Sequence, residues 1–139
     1  MGDSPIRPFA FLRYDIPMQM RLELFVADLE KSRDFYVRIL GFEVESADPR
    51  GYTRLRRGDA AIALNPVERI PSSHPSRQAP GAAVGLGHEI SLVVEEIERY
   101  YKAVTDHGGE IAEPLKERPW GSRDFCLHDP DGNYIRITS

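Results

Sequence analysis

Residues 21–41 read RLELFVADLEKSRDFYVRILG, and residues 89–109 read EISLVVEEIERYYKAVTDHGG. Laid side by side, the two stretches share one pattern in one register without a gap. Each opens as an alternating strand. Leu22, Leu24 and Val26 fall on one face, as do Ile90, Leu92 and Val94. Arg21, Glu23 and Phe25 fall on the other, matched by Glu89, Ser91 and Val93. A period of two places a strand between two different environments. Each strand then meets an acidic residue, Asp28 or Glu96. Asp is a good N-cap, whereas Glu helps mainly through the helix dipole. Apolar residues follow at helical spacing: Leu29, Phe35, Tyr36, Ile39 and Leu40, then Ile97, Tyr100, Tyr101 and Val104. Each helix is expected to end on a left-handed glycine, Gly41 or Gly109.

Working outward, each helix is followed by three strand-like runs. They cover 42–47, 52–57 and 60–65 in the first copy, and 110–116, 122–128 and 132–138 in the second. Asp48-Pro49, Gly58-Asp59, Pro119-Trp120-Gly121 and Asp129-Pro130-Asp131-Gly132 break them as turns. The unit is βαβββ, twice: 20–65 and 88–139. Residues 66–87 are rich in Pro, Ser and Gly and read as a linker or pocket loop. Residues 1–19 read as an N-terminal extension. The periodicity also suits two ferredoxin-like halves or a plain α+β sandwich.

Composition bounds the function. A chain of 139 residues, 41% apolar and 29% charged, makes one globular domain with a real core. A net charge of −4 disfavours nucleic acid and anionic membrane surfaces as partners. The lone Cys126 excludes an internal disulfide and a thiolate metal cluster. The longest apolar run near the N-terminus, Phe9–Leu12, is too short for a signal or membrane segment. A reduced, cytoplasmic setting is expected.

The stretches VADLEKSRDFYVRILGF and RPWGSRDFCLHDPDGNYIRI resemble the glyoxalase, bleomycin-resistance and extradiol-dioxygenase (vicinal oxygen chelate) superfamily, in the right order and separation. The resemblance spans 20–138, one domain of 20–139. It implies an α+β fold of two βαβββ modules, with mixed sheets curved into a cup and helices outside. The family's enzymes hold one divalent metal on four cup-facing positions. Carried over, these are Arg21, Ala63, Glu89 and Arg136. Arginine has no available lone pair and alanine offers nothing. A divalent site needs about three or four convergent donors. No metal or other cofactor is therefore expected, and Arg21, Glu89 and Arg136 are expected to converge as a charge network, with Glu23 one pleat further.

His88 would face the cup only if the register slipped by one, turning Ile90 and Leu92 with it. His128 suits a strand-end hydrogen bond; His74 and His107 suit the surface. Phe35, Tyr36, Tyr100 and Tyr101 suit the core. PWGSRDF resembles the bleomycin-resistance branch, where an aromatic in this segment stacks on a planar part of the drug. Trp120 at the start of the seventh strand is thus the first ligand-stacking candidate. Phe25, Tyr134, Tyr52 and Arg54 are expected on the same cavity. The expected function is metal-free sequestration of a planar or aromatic small molecule, such as an antibiotic, by a homodimer. The alternatives are a cup enzyme (lyase, isomerase or dioxygenase-like) working without the usual metal or with an atypical one, using Glu89 or Glu23 as base, and a scaffold domain with a filled cavity.

Overall fold

The computed structural model describes residues 15–79, 82 and 84–139. Most of the N-terminal extension lies outside them. The first module runs β1 (Leu22–Val26), α1 (Leu29–Asp34, continued by a π-helical turn over Phe35–Ile39), β2 (Glu43–Ala47), β3 (Thr53–Arg57) and β4 (Ala60–Pro66). The second runs β5 (Ile90–Val93), α2 (Ile97–Asp106), β6 (Ile111–Glu117), β7 (Arg123–His128) and β8 (Tyr134–Thr138). Strand orders are β1-β4-β3-β2 and β5-β8-β7-β6. β1 runs parallel to β4 and β5 parallel to β8; every other pair is antiparallel. This is βαβββ twice. Each parallel pair needs a long crossover, and the helix and two strands between its members supply it.

The helix ends correct one expectation. Asp28 caps α1, its Oδ1 accepting from the Lys31 N–H at 3.1 Å. Gly41 takes φ +81° after α1, as expected. After α2 the left-handed residue is Gly108, at φ +91°, and not Gly109. The π-turn explains the offset. Leu40 N–H bonds to Phe35 O, five residues back, so the first helix carries one residue more per turn than an α-helix. The ungapped sequence register therefore runs one residue out at this point. Gly109 is constrained by packing instead: a Cβ there would lie 2.6 Å from Val104 Cγ1.

The core lies on the helix side of both sheets and is shared. Tyr36 and Leu40 meet Val104, Phe125, Ile135 and Ile137 in one buried cluster, with Tyr100 and Tyr101 against Phe125. Polar links between modules lie on the same side. Tyr36 donates to Asp129 Oδ2 at 2.7 Å, Ser32 to Asp131 Oδ2 at 3.3 Å, and Ala27 N–H to Asp131 Oδ1 at 3.1 Å. Tyr100 donates to the Leu40 carbonyl at 2.6 Å. The β7–β8 turn presents these acceptors because Asp129 Oδ1 receives the N–H groups of Asp131 and Asn133, which fixes the turn. Burial first, then the Asp129 charge, drives the Tyr36 hydroxyl's pKa far above its ordinary value. It stays a donor.

Among the described residues, 67–88 contain a short 3-10 turn (Val67–Arg69) and bends but no strand. Arg77 anchors the segment by donating to the Val67 and Ile70 carbonyls. No helix among the described residues is long and apolar enough to cross a membrane.

Candidate functional site

With the apolar faces spent on the core, the alternating residues of each sheet form a polar face. On the first sheet, strand pairing sets them in rows. Glu23 pairs with Ala63, and Ala63 with Arg54. Phe25 pairs with Asn65, and Ala61 with Arg56. Two alanines thus floor the middle of the face. Glu23 is held at one end, accepting from Asn65 Nδ2 at 3.0 Å and from the Tyr52 hydroxyl at 3.4 Å. Arg69 stands over the Tyr52 ring at 5.7 Å. Phe25 meets the His74 ring edge-on at 5.4 Å, so His74 is a packing residue rather than a free surface histidine. Glu45, beside a bulge in β2, accepts from Arg56 Nε at 2.6 Å. That hydrogen bond, with the Arg56, Arg54 and Arg21 charges, holds its carboxyl below the usual range.

The second sheet carries a continuous chain of charges. Glu89 and Arg136 form a two-pronged pair, Arg136 Nε to Oε2 at 2.9 Å and Nη2 to Oε1 at 3.2 Å. Arg136 Nη1 also reaches Asp124 Oδ1 at 3.1 Å. Asp124 accepts from Arg118 Nε and Nη2 at 2.8 and 2.6 Å, and Arg118 continues to Glu113 at 3.1 Å. The Arg136 hydrogen bond holds the Glu89 carboxyl below its usual range, and the Arg118 bond does the same for Asp124. Tyr134 faces the same side, against the His128 ring at 5.1 Å. Its hydroxyl is pushed up to about 12, first by a hydrogen bond with Cys126 and then by burial.

Of the expected trio, the structure brings two together. Glu89 and Arg136 pair, and Arg21, at the start of the first sheet, joins neither. The physical reason is the shared core. Every side-chain hydrogen bond between modules among the described residues lies on the helix side, and none joins the two polar faces. Trp120 is in the expected turn. It lies in the turn before β7, which starts at Arg123, and is 73% exposed. His88 stays off the polar face and meets Asn133 Oδ1 at 3.1 Å. Two open clefts flank the faces. One of about 1070 Å³ includes Glu45, Arg56, Val93 and Tyr100; one of about 650 Å³ includes Glu23, Phe25, Arg77 and His88.

The four positions where relatives would hold a metal do not fit one. Ala63 is fully buried and has no donor. Arg21 and Arg136 are permanent cations. Glu89, the one possible ligand, has both oxygens occupied by Arg136. Among the described residues no three His, Cys, Asp or Glu side chains gather as a metal site.

Asp124, Arg118, Glu113 and Glu45 were missed in the sequence. Asp124 had a signal: it stands two before Cys126, which pairs with Arg136, and so shares the polar face with Arg136. Glu45 had none, because the β2 bulge breaks the alternation that would have placed it.

These features define a small two-module α+β protein whose polar sheet faces carry arginine–carboxylate pairs. The model of the Glyoxalase/Bleomycin resistance protein/Dioxygenase superfamily matches residues 19–137, and the chain belongs to that family. No curated protein matches. Among solved structures, TioX from Micromonospora sp. ML1 is similar at 22% identity and a TM-score of 0.71, covering 88% of this chain and 98% of its own. A superfamily member from Sphaerobacter thermophilus DSM 20745 is 30% identical, with a TM-score of 0.66 and coverage of 88% and 97%. A lactoylglutathione lyase from Agrobacterium tumefaciens shares the fold at 17% identity, with a TM-score of 0.66 and coverage of 87% and 92%.

Proposed function

We propose that this chain is a metal-free small-molecule-binding protein of the bleomycin-resistance type, which sequesters a planar, partly aromatic ligand without altering it. One observation carries the reading: the sole carboxylate at the four metal positions is clamped by Arg136. The family's metal-dependent chemistry has no ligand set here, while binding needs none. The polar faces turn away from the shared core and stay open, and in this reading the cup closes between two copies, the first sheet of one facing the second sheet of the other. Val93, 77% exposed beside Ser91, supplies apolar surface at that junction. Trp120, 73% exposed, is free to meet a ligand. A Trp face presents a large flat area and a quadrupole suited to aromatic or cationic groups.

The test is a panel of planar natural products, followed by equilibrium dialysis and by Trp120 fluorescence. A binder recovered unchanged after denaturation, with affinity reduced about tenfold or more in Trp120→Ala, supports the reading. Steady conversion of a bound compound, abolished in Glu89→Gln with the fold intact, would replace it with the enzymatic alternative.

A further inference from the structure

The two polar faces differ in how fully their charges are matched. On the second sheet two arginines, Arg118 and Arg136, are shared among three carboxylates, Glu113, Asp124 and Glu89. Each guanidinium there has two carboxylate partners. On the first sheet two arginines, Arg54 and Arg56, share the single carboxylate of Glu45. Glu45 is committed to Arg56 at 2.6 Å, and Arg54 Nη2 reaches its other oxygen only at 3.9 Å. Glu23 does not compensate, because Tyr52 and Asn65 hold it. Glu43, in register with Arg56, makes no ion pair among the described residues. Arg54 Nε is buried and has no hydrogen-bond partner among the described residues. A dry, unpaired donor on a cation is destabilising, and such groups in folded proteins ask for an explanation.

The floor explains where the missing partner would sit. Arg54 lies across Ala63 from Glu23, and Arg56 across Ala61. Extending the β1–β4 register by one residue sets Arg21 beside Ala61. On a sheet lattice, Arg21 and Arg54 are then two strands and two residues apart, roughly 12 Å between backbones. Two arginine side chains span that distance with one small group between their tips. Ala61 and Ala63 carry no side-chain atom beyond Cβ, so no β4 side chain stands between the two arginines.

The geometry points to a ligand that carries an anionic group, a carboxylate or a phosphate monoester, received by Arg54 and Arg21 above Ala61 and Ala63. This rests on the sequestration reading and adds the charge of the ligand to it. Arginine suits the task because its planar fork meets both oxyanions with two parallel donors. Glu45 acts as the competitor that the incoming anion must outbid for Arg54.

The experiment uses the full chain in equilibrium dialysis at low salt, with naphthalene-2-carboxylate, 2-naphthyl phosphate and the neutral naphthalene-2-carboxamide. At least one charged probe is expected to bind tenfold or more tightly than the amide. That preference should vanish in Arg54→Gln and in Arg21→Gln, persist in Arg99→Gln on the far helix, and grow a few-fold in Glu45→Gln. Which charged probe wins identifies the oxyanion. If Arg54→Gln fails to fold, as thermal melting would show, Arg21→Gln at an exposed strand end carries the test. Equal affinity for all three probes overturns the anion assignment and leaves the sequestration reading standing. A preference that survives both arginine variants overturns it too. Binding of none of the three likewise overturns it, and the sequestration reading then stands or falls on the natural-product panel alone.

Discussion

Replacing Asp124 by Asn removes the central charge of the second sheet without changing its shape. Asp124 is almost wholly buried, and it accepts from Arg118 twice and from Arg136 once. Hydrogen bonds to charged groups contribute about 1.5–3 kcal/mol each, and desolvation of the charges offsets part of that. Arg118 keeps Glu113 and Arg136 keeps Glu89, which softens the loss. The expected cost at pH 7 is therefore about 2–3 kcal/mol, a drop of roughly 1–2 M in the urea midpoint. The pH dependence gives the sharper check. The native-state pKa of Asp124 is lowered, chiefly by Arg118. Its contribution is thus fully present above the unfolded carboxylate value of about 4, and is lost as pH falls through the lower native value. Urea unfolding of the wild type and Asp124→Asn should show a gap that is full at pH 7 and closes progressively below about pH 4. A gap of the same size at pH 7 and pH 3 would refute the electrostatic account and leave only a packing effect.

Two further outcomes follow from the fold. Tyr36→Phe removes the buried hydroxyl that joins the modules at Asp129, which keeps its bonds from Asn133 and Asp131. The cost should be about 2 kcal/mol, read as a melting point lower by roughly 6–10 °C, and a shift under 2 °C would show that the link is dispensable. Gly108→Ala meets only Arg38 Nη1, at 3.7 Å, so its cost should be backbone strain alone, about 1–2 kcal/mol. Gly109→Ala, driven into Val104, should cost more, and the reverse order in chemical denaturation would contradict the assigned helix end.

The repeat made the architecture legible because each face of each strand reports its environment. Leu24 and Val26 are buried as their period predicts, while Arg21 and Glu23 are exposed. The Asp28 cap and the turns at 48–51 and 129–132 follow from the same local rules, whereas the pairing of Glu89 with Arg136 follows from the strand placement that the family resemblance implies. The π-turn was not legible, since nothing in Phe35–Ile39 distinguishes its spacing from an ordinary helix by one residue. Nor was the separation of Arg21 from Glu89. Strand alternation says which side a residue faces but not what that side faces, and here the two modules share their helix sides instead of their polar ones. Trp120 belongs to the same class: a turn residue has no period, so its 73% exposure could be found only in the structure.

The central claim is that the cup binds an unaltered small molecule where the family's metal site has been replaced by the Glu89–Arg136 clamp. Native mass spectrometry of the purified chain, incubated with Mn, Ni and Zn ions and with the natural-product panel, tests both halves at once. The account predicts an adduct whose mass equals the intact ligand, with no stoichiometric metal and no dependence on added metal. One metal ion per chain, lost in Glu89→Gln, or a released ligand of changed mass, would contradict it.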